Sequence, residues 1–286
     1  MRYLICVFVL WLAFGALGAE SPKVNLDEHL QAAVTAFRSG DSNKALELLS
    51  KAVKDHPKSA MAWAHRSQVH SELGKYAAAV SDADTAIKLA PEATELYQLR
   101  GEAHFRNVNI EASIKDFDEV IRRQPSREPH HWQRGISHYY AGQFANGRKQ
   151  FTLHQTVNGS DVENAVFHFI CTARAIDLET AKKELIPISG DGRVPMAQIH
   201  KLFAGEMSVK QVLEAAKGAG KTSRSARDRA EFYAHYYIGL YYESHGKPAQ
   251  AKEHIMKAAK AADQNGYMGD CARVHAALLE KAAGRK

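Results

Sequence analysis

Small, apolar and polar positions recur along this chain with a fixed period. Ala45, Ala79, Ser113 and Gly147 are small residues spaced 34 apart, and Ser42, Tyr76, Ile110 and Phe144 keep the same spacing. So do Pro57, Pro91 and Pro125, then Arg66, Arg100 and Arg134, then His70, His104 and His138. Gly40 and Gly74 follow it too, and Gly142 resumes it with Val108 in the gap. Four units result, 26–59, 60–93, 94–127 and 128–160, and each predicts two helices. In 60–93 the first helix runs from Ala60 to Leu73 and ends at a left-handed Gly74 cap. The second runs from Tyr76 to Leu89 and stops before Pro91. Ala79 and Ala83 let the two approach closely. Past residue 160 the period fades while helical spacing of apolar residues continues. It predicts helices over Val162–Asp177, Thr180–Leu185, Met196–Phe203 and Ser208–Lys217, with "PISGDGRVP" as a loop. A last repeat-like unit begins near Phe232, with Gly239, Gly246, Ala251 and Ile255 in the repeat positions. Tyr267 to Ala283 is expected to be a closing helix over the exposed end of the stack.

The period and the small-residue pattern resemble the tetratricopeptide repeat, a helix-turn-helix unit. The fold class expected is therefore all-α, an α-solenoid with a capping C-terminal helix. The segments "WAHRSQVH", "YQLRGEAH" and "HWQRGISH" depart from the family, with Arg where it prefers Leu and His where it prefers Tyr. The resemblance implies a concave groove lined by the first helix of each unit. Mapped here, it places Phe37, Arg38, Gln68, Glu72, Gln98, Glu102, Phe105 and Arg106 on that face. Trp132, Ile136, Tyr139, Tyr140, Tyr233, Tyr236 and Leu240 follow. Ile136 and Leu240 read as core. Partner contacts are expected from Phe105, Arg106, Gln98, Glu102, Trp132, Tyr139, Tyr140, Tyr233 and Tyr236. An aromatic and amide groove of this kind suits an extended peptide or a partner's helix.

Composition narrows the picture. The chain has 286 residues, 45% of them hydrophobic and 24% charged, with a net charge of +6. Acidic residues are interspersed almost everywhere, so a nucleic-acid surface with its charge gathered on one face is not expected. Met1-Arg2 and the uncharged run Tyr3–Leu17 read as a secretory signal peptide cleaved after Gly18 or Ala19. That expectation makes the mature chain an exported one, periplasmic or secreted. The organisation expected is a signal over 1–19, four repeats over 20–160 and a divergent helical segment over 161–217. A basic linker over 218–230 and the terminal unit over 231–286 complete it. Cys171 and Cys271 sit in apolar helical context, and either a disulfide or two separate thiols fits the sequence.

Candidate chemistry is sparse. "AAKGAGKTS" over 215–223 has Gly220, Lys221 and Thr222 of a phosphate-cradling loop, with Ala215 in place of its first Gly. Such a loop needs a strand before it, and "SVKQVLEAA" reads as helix, so no nucleotide is expected. The same stretch holds Lys217, Lys221, Arg224, Arg227 and Arg229 against Asp228. This basic patch reads as a solvated loop or as a contact for an anionic envelope polymer or lipid. His70, His104 and His138 would form a row along the stack and read as packing residues, because no carboxylate or Cys joins them at ligand spacing. Neither G-x-S-x-G nor H-E-x-x-H occurs. No catalytic residue, metal or cofactor is expected, and the chain does not read as an enzyme.

From about His131 onward the resemblance sharpens. "WQRGISHYYAGQFANGRKQF", "MAQIHKLFAGEMSVKQVLEAAK" and "AEFYAHYYIGLYYESHGKPAQAKEHIMKAA" are similar, in this order, to segments of the bacterial lipoprotein NlpI family. That resemblance implies a non-catalytic envelope adaptor, often a homodimer. It implies that the adaptor brings a periplasmic protease together with peptidoglycan hydrolases. The family is lipidated on a Cys after its signal, and this chain has no Cys at that place, so the lipid anchor is not carried over.

Overall fold

A computed structural model describes residues 23–219 and 223–284. The expected signal peptide lies outside these residues. Among them every regular element is a helix and no strand occurs. The chain divides into two compact units, one ending at Arg100 and one beginning at Gly101.

The first unit contains α1 (Lys23–Arg38), α2 (Ser42–Asp55), α3 (Ala60–Glu72), α4 (Tyr76–Leu89) and the first half of α5 (Thr94–Arg106). Local chemistry sets their ends. Asp41 and Ser59 accept hydrogen bonds from Lys44 N and Ala62 N and so cap α2 and α3. Gly74 takes φ +70 between α3 and α4. Small residues make the contact between paired helices: Ala45, Ala62, Ala79 and Ala83 are fully buried. Leu30, Leu49 and Val69 fill one core cluster, and Ala86 and Leu96 another.

The arginines that depart from the repeat pattern have a role here. Arg66 donates to both carboxylate oxygens of Asp82 at 2.7 Å, and His70 Nε2 lies 3.6 Å from the same carboxylate. Arg100 donates to Asp84 at 2.7 Å. Trp63 Nε1 reaches back to Pro57 O at 2.9 Å, and Tyr97 OH reaches Pro91 O at 3.1 Å. One aromatic thus ties each helix start to the turn before it.

The second unit continues with α6 (Ile110–Arg123), a 3-10 turn (Pro125–His130), α7 (Trp132–Tyr140) and α8 (Phe144–Gln155). Then come α9 (Val162–Ala175), α10 (Leu178–Lys183), α11 (Met196–Phe203), α12 (Val209–Gly218), α13 (Arg224–Ser244), α14 (Pro248–Lys260) and α15 (Gly266–Ala283). Helix α9 is buried on nearly every face, Asn164 to Thr172 without a break. It serves as the axis of a core that gathers Phe151, Phe167, Phe169, Phe203, Phe232 and Tyr237. Close approach explains two of the repeat glycines. A Cβ on Gly135 would meet Phe151 Cζ at 2.8 Å, and one on Gly239 would meet Ile255 Cδ1 at 2.5 Å. Arg134 repeats the polar link, donating to Asp118 at 2.6 Å and Gln150 at 3.0 Å. Val108 occupies the glycine turn position with φ 60.

One expectation changes and one alternative is decided. The basic stretch is not a linker throughout, because α13 begins at Arg224, where the Ser223 side chain accepts from Ala226 N. Cys171 and Cys271 are two separate, buried, free thiols. The expected closing helix forms as α15 (Gly266–Ala283). It packs against α5, α7, α13 and α14 from inside, as its side-chain contacts show below.

Candidate functional site

The inward faces of α5, α7 and α13 form the groove expected in the second unit, and α15 fills it. Tyr267, in the first turn of α15, stacks on Phe105 with ring centres 5.2 Å apart. Trp132 meets the same ring edge-on at 4.8 Å. One turn later Asp270 accepts from Arg106 Nε at 2.8 Å and also pairs with Arg273. Arg106 lies 3.5 Å from Glu102, which in turn accepts from Gln133 at 3.1 Å. Burial disfavours the Arg106 charge, yet Asp270 and Glu102 outweigh it and hold the guanidinium above its ordinary pKa.

Deeper in, Tyr140 OH donates to Cys271 O at 3.1 Å and shares a bond of 2.9 Å with Tyr236 OH. Tyr139 OH donates to Glu243 at 2.6 Å, and His275 Nε2 lies 3.3 Å from the same carboxylate. Burial works against ionised Glu243, but the bonds from His275 and Tyr139 and the charge of Arg174 hold its pKa below the usual value. Burial pushes the phenols of Tyr139, Tyr140, Tyr236 and Tyr267 upward, so all four are neutral. This arrangement binds and orients a helix. It contains no activated nucleophile, because burial also raises both thiols.

The expected contact residues therefore divide. Phe105, Tyr139 and Tyr236 are buried core rather than open groove. Trp132, Tyr140, Arg106 and Glu102 keep partial exposure, but all four engage α15 or its immediate partners. The reason is steric: one helix already occupies the aromatic slot. Tyr233 is half-buried and packs on Phe232 and Tyr237; burial and the nearby Glu163 carboxylate raise its pKa to about 12. Gln98 is half-buried on α5 in the first unit. On the same repeat face of that unit Phe37 and Gln68 are half-buried, and Arg38 and Glu72 are exposed. Ile136 and Leu240 are core, as expected.

Sequence reasoning missed Tyr267, Asp270 and His275 as groove occupants and Glu243 as the partner of His275. A signal was present: an acid one turn after an aromatic on an otherwise apolar helix face. Nothing in the sequence said which arginine it would meet.

Beside the second half of α15 a cavity of about 520 Å³ remains, bordered by Arg174, Glu243, Pro248, Ala251, His275 and Leu279. Arg174 stacks on Phe144 at 4.5 Å and donates to Glu243 at 3.2 Å. In the basic stretch Lys217, Arg224 and Arg227 are exposed and Arg229 is half-exposed, while Lys221 lies outside the described residues. Arg224 and Arg227 stand 3.9 Å from Asp228 and Glu231. The residues before this stretch form α12 through Gly218, so the strand-loop-helix frame of a phosphate cradle is not built there. Of the histidine row, His138 Nδ1 bonds Gln143 at 2.8 Å and His104 lies 4.0 Å from Asp116. Among the described residues no group of three or more His, Cys, Asp or Glu is placed to hold a metal, and no helix is long and apolar enough to cross a membrane.

The tetratricopeptide repeat family matches residues 30–79 and 66–128, within the stretch that carries the 34-residue period. The fold is an all-α tetratricopeptide-repeat solenoid. A tetratricopeptide repeat protein from Parabacteroides merdae ATCC 43184 superposes with a TM-score of 0.59 at 13% identity, over 88% of this chain and 98% of that one. The protein MamA superposes with a TM-score of 0.53 at 12% identity, over 71% and 97%. A MamA fragment from Desulfovibrio magneticus RS-1 does so with 0.52 at 15% identity, over 59% and 92%. These likenesses concern the fold. No curated protein matches the sequence.

Proposed function

We propose that this chain is an exported, non-catalytic interaction scaffold that holds helical or extended segments of other proteins on its repeat faces. The observation that carries the reading is α15 itself. The groove of α5, α7 and α13 receives a helix of this same chain by an aromatic stack, a charge-assisted Arg106–Asp270 bond and a tyrosine hydroxyl on its backbone. Recognition of a helix in a groove is built from such parts.

Clients take the surfaces that α15 leaves open. In the first unit these are the half-buried Phe37, Gln68 and Gln98 with the exposed Arg38 and Glu72. In the second unit it is the cavity beside Arg174 and Leu279. Two such surfaces on one chain raise the effective concentration of one client near another. The similarity of the C-terminal segments to the NlpI family supports a protease and cell-wall hydrolases as clients, and a homodimer as the working form.

The test is affinity capture from the native cell envelope with tagged residues 20–286. A protease or hydrolase retained by the wild type and lost with Phe37→Ala and Gln68→Ala together supports the scaffold and locates its face. If no protein is retained at low salt, the reading fails. Anionic polymers are a weaker alternative, because the i,i+4 acids beside Arg224 and Arg227 dilute the basic patch.

A further inference from the structure

Helices α13 and α14 approach closely at Gly239, where a Cβ would strike Ile255. One turn before that contact His235 on α13 faces His254 on α14, and their Nδ1 atoms are 3.0 Å apart. The ring centres are 4.9 Å apart and the planes inclined by 47°. One ring donates its Nδ1–H and the other accepts through its lone pair, so the two are opposite tautomers. Two imidazole nitrogens converging from separate, firmly packed helices also form a chelate. With metal–nitrogen bonds of about 2.0–2.1 Å, a separation of 3.0 Å sets an angle of about 94° at the metal. That is the cis angle of tetragonal coordination; a tetrahedral ion with the same bond lengths would need roughly 3.3–3.4 Å between the nitrogens.

We propose that His235 and His254 bind one tetragonal divalent transition-metal ion, copper(II) ahead of nickel(II), in a two-nitrogen site completed by water. The ring that carries Nδ1–H transfers that proton to its own Nε2 through solvent, and both Nδ1 lone pairs then bond the ion. No proton is released and no electron moves. Burial holds both imidazoles below their ordinary pKa, His254 at about 4, so both rings are neutral at pH 7. The carboxylates of Glu231 and Glu253 act on His235, and Glu253 on His254, with a sign that favours a cation. Lys257 opposes them from 2.7 Å beyond Glu253. No third protein ligand is placed at this pair among the described residues, so affinity rests on the two rings.

The experiment is calorimetric titration of the full chain, freed of any tag, with copper(II), nickel(II) and zinc(II) chlorides. Electron paramagnetic resonance follows the copper complex. The wild type is expected to take up one copper equivalent with a tetragonal two-nitrogen spectrum, and to bind nickel more tightly than zinc. His235→Gln and His254→Gln each weaken that equivalent by at least about tenfold, the lower end of what even an outer-shell loss costs. His245→Gln, whose ring is engaged with Tyr241 O at 2.8 Å, leaves it unchanged. His235 is only half-buried, so its Gln variant keeps the fold, checked by circular dichroism. If both Gln variants bind as the wild type does, or zinc binds more tightly than nickel, the pair is a hydrogen bond and nothing more.

Discussion

Arg106 keeps its charge although only 17% of its side chain reaches solvent, because Asp270, 9% exposed, answers it from α15. A buried pair of this kind contributes little net stability against an apolar replacement, yet loss of one member strands the other. Asp270→Ala is therefore expected to cost about 3–5 kcal/mol in urea unfolding. Arg106→Leu with Asp270→Leu should cost well under the sum of the single changes, and a sum of equal size would show that the two do not interact. His131 offers a second test at this scale. It is 3% exposed, and burial first, then the charges of Arg127 and Arg134, lower its pKa to about 4. The unfolded chain binds this proton near pH 6.5 and the folded one only near 4, so stability is full above the upper value and falls as pH drops between them. The loss from this one group is about 3 kcal/mol. Glu163, raised to about 7 mainly by burial, acts oppositely over much of the same range. The comparison that isolates His131 is thus His131→Tyr, since Trp63 and Tyr97 hold the equivalent positions. The variant should show a shallower fall in thermal midpoint between pH 6.5 and 4.

The paired repeat helices were legible in the sequence because their physics is local. Turn glycines at Gly74 and Gly142 and a stop at Pro91 act within a few residues of where they stand, and the small Ala79 and Gly147 mark each helix contact by recurring with the period. The start of α13 was misread because Gly218 and Gly220 suggested a flexible run, while Ser223 supplies a cap one residue before Arg224. The partners of Arg66, Arg100 and Arg134 were illegible for a different reason. Each lies 16 residues away on another helix, a distance that no single-helix pattern reports. Helix pairing at Gly239 makes a direct prediction. Gly239→Ala places a methyl 2.5 Å from Ile255 Cδ1 and 3.3 Å from Ala251 O. Ile255 is fully buried, so a shift of its side chain meets packed neighbours. Overpacking should cost about 1–3 kcal/mol, read as a lower urea midpoint. Gly239→Ala combined with Ile255→Val should recover part of it.

At the scale of the whole molecule, α15 decides how the repeat groove of the second unit is used. A displaceable lid would present one apolar face and leave the other to water. Met268 to Ala272 are all buried, as are Val274, His275 and Ala276, so this half of the helix is enclosed except at Arg273. Its polar contacts run to α5, α7 and α13 alike: Asp270 accepts from Arg106, the Cys271 carbonyl accepts from Tyr140, and His275 Nε2 lies 3.3 Å from Glu243. Opening it would expose Phe105, Tyr236 and Tyr237, each now fully buried, at roughly 1.5–3 kcal/mol for each large side chain. The helix is accordingly a fixed part of the core. Amides of 268–276 should exchange with deuterium as slowly as those of α9 in the same unit, at the free energy of global opening. A synthetic peptide of residues 266–283 should not bind the intact protein. Fast exchange confined to α15, or micromolar binding of that peptide, would make the groove a gated client site and shift the expected contacts back to Trp132 and Tyr140.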